Sequence, residues 1–432
     1  MSQEFQIHDQ INTIRQTFGY LQKYTNSVFV IKIDGRLYCD PLFPLLIRDV
    51  VLLHNLGIKI VLVPGTRVRI NEILNSFGIK TKECKGMRIS TDEAIPFIKM
   101  ATFDVANQVM TMLAENNANA VIGNWIRARG IGVIDGVDFQ ASGLVDKIDV
   151  ASIQNVLDNN MIPIFPNIGW SLSGKPYNIS SHELALKISI AMRAEKLFFI
   201  TDFGGISIDG TPVSQLTLKE AKQVLAKTAD NENDDENIEL LNFSYEAAKS
   251  GVKRVHIVGG HHDGLLLKEI FSNIGQGTMI YSGEFDSIRK LNYSDIPEIL
   301  RITRPLIEKG ILVERTNKEL EDLMSEFYGY EVDGTLHAVA ALKFYSDNSA
   351  EVCCVAVDSV YSGMGIGKKI VKFLITQAKA QNKSRCFLLT TRTSDWFEEL
   401  GFTETEVKNL PKDKCETYNK NRNSRVMILN LQ

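Results

Sequence analysis

Residues 350–372 read AEVCCVAVDSVYSGMGIGKKIVK, and their reading decides the second half of the chain. Ala350–Val357 has the composition of a strand. Gly363-Met364-Gly365-Ile366-Gly367 then turns the chain, and apolar residues recur at helical spacing from Lys368-Lys369 to about Ala380. Strand, glycine turn and helix in that order make an anion-binding arrangement. Glycines let the backbone approach a ligand, and successive N–H groups at a helix start point towards negative charge. The spacing to Gly-Lys-Ser/Thr that a Walker loop requires is absent. A Rossmann fingerprint fits poorly, because the preceding strands read as an antiparallel meander. A helix start with glycines and no ligand is the plain alternative.

Working outward, helices are expected at Asp295 to Ile302 and Asn317 to Glu326. Strands follow at Phe327–Val332 and Leu336–Phe344, joined at Asp333-Gly334, a strong hairpin signal. Beyond the glycine helix come a strand at Cys386–Thr390 and a short helix around Trp396–Leu400. The character of the chain changes near Gly283–Asp286, which predicts domains at 1–285 and 286–432. The first of these alternates continuous apolar strands with helices: Val28–Ile33, a helix from Pro41 to His54 stopped at Gly57, Lys59–Val63, Ala120–Ile122, Ile162–Phe165, Leu197–Thr201 and Val252–Val258. That pattern predicts a parallel sheet covered on both faces, a three-layer α/β/α sandwich in the α/β class. Residues 230–237, DNENDDEN, read as a solvated acidic loop, since adjacent carboxylates without turn glycines do not converge on one ion.

Composition narrows the function. The chain has 432 residues, 44% of them hydrophobic and 23% charged, the ordinary globular mix. A formal charge of −4 argues against a nucleic-acid binder, which would carry a basic stripe. No apolar run reaches about 18 residues, so no transmembrane helix is expected. The polar start, MSQEFQIHDQ, does not read as a signal peptide. Six cysteines without a CxxC pair give neither a common zinc pattern nor a disulfide framework, which points to a reducing cytoplasm.

The order helix, helix, meander and V-A-V-D-x-x-Y-x-G-x-G-I-G at 355–367 resembles the GCN5-related N-acetyltransferase fold, an α+β domain. There the glycine turn holds the pyrophosphate of acetyl-CoA. The resemblance implies contacts from Val355, Ala356, Val357, Gly363, Met364, Gly365, Ile366, Gly367 and Lys368. The motif usually begins with Arg or Gln where this chain has Ser362, which removes a side-chain contact and spares the backbone cradle. The front domain resembles the amino-acid kinase fold, nearest to acetylglutamate kinases. Together they resemble the bacterial N-acetylglutamate synthase family over nearly the whole chain. Arg304-Pro305-Leu306 with Gly310-Ile311-Leu312-Val313, Thr390-Thr391-Arg392 with Trp396-Phe397, and Tyr418-Asn419 before Arg422-Asn423-Ser424 carry it. Ser173-Gly174, Tyr177-Asn178 and Ala194-Glu195-Lys196 do so in front.

Acetyl transfer from a thioester to an amine needs a base, a stabilised oxyanion and two reactants held together. Glu351 is the expected base, acting through water; its plain alternative is a solvated strand-end carboxylate. The resemblance implies Val355 N–H as oxyanion donor, at a strand bulge, and Thr390 as the hydroxyl that returns a proton to the thiolate. A strand threonine is otherwise structural. Leu312, Arg315, Arg422 and Ser424 match the family's glutamate-binding positions, with Glu314 where relatives can carry Arg. An arginine fork grips a carboxylate through two bonds. No metal or redox cofactor is implied beyond the co-substrate acetyl-CoA.

Phosphoryl transfer by the front domain is not expected. Lys32 survives, but Asp34-Gly35 puts a carboxylate where phosphates would lie. Val63-Pro64-Gly65-Thr66 has lost most of its glycine, and Asn178-Ile179-Ser180-Ser181 is followed by His182 instead of Asp. Lys32 then reads as a charged strand-end residue and His182 as a solvated or hydrogen-bonded helix-start histidine. The resemblance instead implies that L-arginine binds as a feedback inhibitor at Tyr20, Glu269, Gly275, Gly277 and Thr278, with an exposed helix residue as the alternative for Glu269. The expectation is a cytoplasmic N-acetylglutamate synthase, homo-oligomeric like its relatives. A bifunctional synthase/kinase and a non-catalytic arginine sensor that only binds CoA remain open.

Overall fold

The structure is a computed structural model that describes residues 14, 17–84, 86–208, 210–228, 236–271, 277–282, 286–332, 335–358, 361 and 365–431. Gly275, Ser362, Gly363, Met364, the Asp333-Gly334 turn and residues 230–235 of the acidic segment lie outside them. The chain forms two compact units, Met1–Gly283 and Glu284–Gln432.

The first unit is built on eight strands: β1 (Val28–Ile33), β2 (Lys59–Pro64), β3 (Ala120–Ile122), β4 (Ile162–Ile164), β5 (Lys196–Thr201), β6 (Gln215–Thr217), β7 (Arg254–Gly259) and β8 (Thr278–Tyr281). They lie in the order β6-β8-β7-β5-β1-β2-β4-β3. Alternate residues of β1 serve opposite cores. Val30 packs on one face with the helices Ser181–Ala191 and Glu236–Lys249, while Phe29, Ile31 and Ile33 pack on the other with Phe43–Asn55 and Leu265–Phe271. Burial on both faces is why these strands are apolar throughout. The first of the helices on the second face stops where expected, with Gly57 at φ +86 accepting the left-handed turn after the C-cap.

Two features depart from the expected parallel sheet. β8, between β7 and the edge strand β6, runs antiparallel to β7, which a parallel reading of continuous apolar runs does not reveal. A second sheet of four short strands, Ile126–Gly130, Gly143–Ile148, Ile168–Trp170 and Pro176–Asn178, was not anticipated. Two of its strands, Ile126–Gly130 and Gly143–Ile148, are half exposed and carry Arg, Asp and Lys, and the other two are only three residues long, so no apolar run marks them.

The second unit is one seven-stranded sheet: β9 (Asp286–Lys290), β10 (Phe327–Val332), β11 (Thr335–Phe344), β12 (Ser349–Val357), β13 (Arg385–Thr390), β14 (Thr403–Thr405) and β15 (Arg425–Asn430), in the order β9-β10-β11-β12-β13-β15-β14. β9 to β12 form the antiparallel meander, and β13 joins β12 in parallel. Helix α1 (Ile296–Glu308) runs through Pro305 and past its expected end at Ile302. Its stop is chemical. Gly310 takes φ +67, Gly310 N–H donates to Ile307 O and Ile311 N–H to Leu306 O, a Schellman cap. The Asn317 helix ends at Asp322, followed by a tighter turn at Met324–Glu326. Helix α2 (Ile366–Ala380) follows the glycine turn, and α3 (Lys412–Glu416) precedes β15.

Candidate active site and effector pocket

β12 and β13 are hydrogen-bonded only from Ser349↔Arg385 to Glu351↔Phe387, although β12 continues to Val357 and β13 to Thr390. The two strands therefore part after Glu351 and open a cleft inside the sheet. Glu351 stands at its apex, Val355 on one wall and Thr390 on the other. The wall carrying Val355 is bulged. Ala341 faces Cys353 but Val339 faces Ala356, so β12 spends one residue more than β11, and Cys354 takes φ +55.

Glu351 is buried, which removes the solvated strand-end alternative. Its Oε2 accepts the Tyr345 hydroxyl at 2.7 Å and its Oε1 meets the Lys414 ammonium of α3 at 2.5 Å. Burial, then the Glu351 carboxylate, push the Tyr345 hydroxyl far above the ordinary tyrosine range, so Tyr345 donates to Glu351 and does not compete for its proton. Thr390 is buried; its hydroxyl pairs with that of Thr393 at 2.8 Å and accepts Thr393 N–H at 3.2 Å. Neither Lys414 nor Tyr345 carries a motif that marks it in the sequence.

Two further segments carry expected glutamate-binding residues. The Cys353 thiol, and then the positive charge of Arg315, hold the Cys354 thiol below its ordinary value. The Arg422 guanidinium donates to the carbonyls of Gly310 and Ile311, so it grips the cap that presents Leu312. Ser424 is buried, and its carbonyl accepts the Tyr418 hydroxyl at 2.7 Å. The Arg-Pro-Leu and Gly-Ile-Leu-Val motifs thus mark a helix end that the C-terminal segment fastens.

The anion cradle begins at Gly365, whose φ of +76 sets the N-cap of α2. Ile366 is buried, while a Cβ on Gly367 would come within 3.1 Å of the Trp396 ring. Trp396 therefore lies against the first turn, and a larger residue at 367 would have to displace its ring by a few tenths of an ångström. Ala356 is a core residue, and Val357 pairs with Ala338. Lys368 pairs with Glu399 at 2.5 Å, which leaves the cradle to backbone N–H groups.

In the first unit, Glu269 is buried and not an exposed helix residue. Its Oε1 hydrogen-bonds His256 Nδ1 at 2.9 Å, whereas Glu269 Oε2 and His256 Nε2 have no hydrogen-bond partner among the described residues. Burial raises the carboxyl, but His256 outweighs it and holds Glu269 below its ordinary value. Burial pushes His256 down to about 4, so the ring is neutral. Beside them the buried Lys196 ammonium lies 4.6 Å from the Tyr24 ring centre, Tyr24 stacks on Tyr20, and Phe198 stacks on His256 at 4.8 Å. Gly277 is required by contact, since a Cβ would sit 2.2 Å from Ile257 O. The Thr278 hydroxyl is used structurally, donating to Val213 O and accepting Ile206 N–H. Lys196 and His256 were not among the residues expected here. The signal was a lysine and a histidine inside apolar strands.

The kinase-like turns are closed. Gly35 and Gly65 face one another so tightly that a Cβ on either would meet backbone at 2.8 Å. Lys32 is buried with its ammonium 3.6 Å from Asp34, and Arg36 binds Asp34 at 2.8 and 3.0 Å, Asp202 at 2.9 Å and Glu236. Lys32 is thus an interior ion-pair residue. His182, at the start of its helix, is half-buried against the rings of Phe199 and Phe243, with Nδ1 4.0 Å from the Glu239 carboxylate. Where phosphates would need open backbone and free cations, side chains satisfy one another.

Residues 27–259 match the amino acid kinase family and residues 295–402 the acetyltransferase (GNAT) family. The amino-acid acetyltransferase of Pasteurella multocida is 35% identical over 98% of both chains, and that of Shewanella oneidensis is 34% identical over 98% of this chain and 97% of its own. Among solved structures, N-acetylglutamate synthase from Neisseria gonorrhoeae complexed with coenzyme A and L-arginine matches with a TM-score of 0.83 and 31% identity, covering 98% of this chain and 99% of that one. The same enzyme complexed with coenzyme A and N-acetyl-glutamate matches with a TM-score of 0.63 and 33% identity over the same shares.

Proposed function

The chain belongs to the amino-acid acetyltransferase family, an acetyl-CoA-dependent N-acetyltransferase, and we propose that its substrate is L-glutamate, its product N-acetyl-L-glutamate, and its inhibitor L-arginine. The observation that carries the reading is the parted β12–β13 pair with a buried carboxylate at its apex. The Neisseria synthase, similar along the whole chain, is known with coenzyme A, N-acetyl-glutamate and arginine bound.

In this reading backbone N–H groups at the start of α2 hold the pyrophosphate of acetyl-CoA and the thioester lies in the cleft. Glu351 takes a proton from the glutamate amine through a water, with Lys414 and Tyr345 fixing its two oxygens. Val355 N–H, on the side of the bulge, stabilises the tetrahedral oxyanion. Thr390 returns a proton to the departing CoA thiolate. Arg315, Arg422, Ser424 and the Leu312 turn hold the two carboxylates of glutamate. In the first unit the orphaned Glu269 Oε2 and His256 Nε2 support an effector that donates several N–H bonds, as a guanidinium does. The closed turns at Gly35 and Gly65 disfavour the bifunctional alternative. A cytoplasmic homo-oligomer is part of this reading, since it suits a small-molecule biosynthetic enzyme. Among the described residues no helix is long and apolar enough to cross a membrane.

Acetyl-CoA consumption measured across the amino acids, with and without arginine, decides the substrate and the effector. Turnover with glutamate that arginine suppresses is expected. Turnover with another amino acid, or none with glutamate, would overturn the assignment.

A further inference from the structure

Cys353 and Cys354 are adjacent on β12, and no other two cysteines of the chain are neighbours in sequence. On a regular strand successive side chains face opposite sides, so a Cys-Cys pair offers one thiol to each face. The bulge changes that. β12 gains a residue against β11 between Cys353 and Ala356, and Cys354 absorbs it with φ +55. Both cysteines consequently pack against the same hydrophobic cluster, with Ile299, Val339 and Ala356. The positive charge of Arg315 acts on both thiols of the pair. The Cys353 S–H and then the Arg315 guanidinium favour the Cys354 thiolate over the opposing effect of burial, and hold this thiol below its ordinary value. Cys353 is half-buried and gives access from solvent. The result is a paired dithiol, one member predisposed to ionise, on the wall of the cleft.

We propose that Cys353 and Cys354 form a binding site for a trivalent thiophilic metalloid, represented by arsenite, and that its capture shuts the transferase centre. Arsenous acid, As(OH)3, exchanges two hydroxyls for two sulfurs. Two As–O bonds break, two As–S bonds form, and the thiol protons leave with the hydroxyls as two waters. Arsenic keeps its oxidation state and its third hydroxyl, so nothing is oxidised or reduced. The second bond forms within the molecule, and such linkage strengthens binding over either thiol alone by about 10²–10⁴-fold. An arsenic atom bridging the sulfurs displaces Arg315 and reshapes the bulge next to Val355. The shut-down rests on the proposed roles of Arg315 and Val355, while the binding does not.

The test uses the full chain and sodium arsenite. Expected results are one arsenic per chain, protection of both Cys353 and Cys354 from N-ethylmaleimide while exposed Cys39 still reacts, and loss of acetyl transfer. A dithiol, 2,3-dimercaptopropanol, should restore activity where an equal concentration of 2-mercaptoethanol does not. Cys353→Ala should retain transfer and bind arsenite about a hundredfold more weakly, since one sulfur remains. Because protection is mapped on the unaltered protein, the outcome does not depend on a variant folding at the left-handed position of Cys354. Protection at other cysteines, or arsenite sensitivity unchanged in Cys353→Ala, would overturn the site. Protection of both cysteines with transfer intact would overturn the shut-down. Absence of transfer before arsenite is added would count against the enzymatic reading instead, and the protection map would still decide the binding.

Discussion

Glu351 is held by two partners, the Lys414 ammonium at one carboxylate oxygen and the Tyr345 phenol donating to the other. A base so placed has a fixed direction. Glu351→Gln keeps the volume and loses the proton acceptor, so kcat should fall by about 10²–10⁴-fold, the usual contribution of general base catalysis. The KM for acetyl-CoA should stay near its original value; a parallel rise would mean that the cleft had collapsed. Arg422 presents a different case, because one nitrogen of its guanidinium, Nη2, donates to two carbonyls of the Gly310 turn. Arg422→Lys preserves charge but not the paired geometry, and a charge-assisted hydrogen bond contributes about 1.5–3 kcal/mol. Glutamate kcat/KM should therefore drop by roughly one to two orders of magnitude. Steady-state kinetics with each substrate varied in turn separates this from damage to acetyl-CoA binding. Both residues were legible in the sequence through the motifs around them. Lys414 was not, because its partner lies 63 positions earlier and no local pattern ties the two together.

Elements were legible in proportion to how far packing dictates their residues. β1, β2, β5 and β10 are apolar because they are buried, and their limits follow from the sequence to within a residue or so. The four-stranded second sheet and β15 were not seen, since half-exposed strands can carry any polar residue without cost to a core. The glycine turn belongs to a third kind, where conformation and not burial selects the residue. Around Gly365 no atom of the described residues lies within 4 Å of an added Cβ, yet its φ is +76. Gly365→Val therefore tests conformation alone: a branched residue in the left-handed region costs about 1–3 kcal/mol, and the KM for acetyl-CoA should rise about tenfold or more. Gly365→Asn should be milder, because asparagine tolerates that region. Equal effects would show that strain at the N-cap is not what the glycine avoids. On β11, burial pushes His337 down to about 4 despite the favourable charge of Asp358. Between pH 6.5 and 4 the unfolded chain binds this proton and the folded chain does not. Stability thus falls as pH is lowered through that window, by about 2 kcal/mol at pH 5. Denaturant unfolding of His337→Asn at pH 7 and pH 5 should show a correspondingly smaller loss than the parent; an equal loss would assign the acid sensitivity to other groups.

For the whole molecule the consequence concerns which unit holds which function. Every residue proposed for acetyl transfer lies beyond Glu284, and every residue proposed for arginine lies before Gly283. The second unit has a core of its own, in which Ile299, Ile302, Phe327, Val339 and Ala356 join the α1 helix to the meander. Its length is that of a typical independent domain, about 100–150 residues. A fragment of residues 284–432, which keeps β9 whole, should fold and acetylate glutamate without any response to arginine. In the full chain, Glu269→Ala removes a carboxylate whose Oε2 has no partner among the described residues, and arginine inhibition should weaken while uninhibited turnover stays. An effector acts only through its difference in affinity between two states, so losing its contact removes the response and leaves the catalyst. Transfer assays on the fragment, the variant and the parent over an arginine titration decide the matter. A folded fragment without transfer would show that the first unit contributes catalytic groups or order. A Glu269→Ala variant as sensitive as the parent would place arginine elsewhere, even if the fragment behaves as expected.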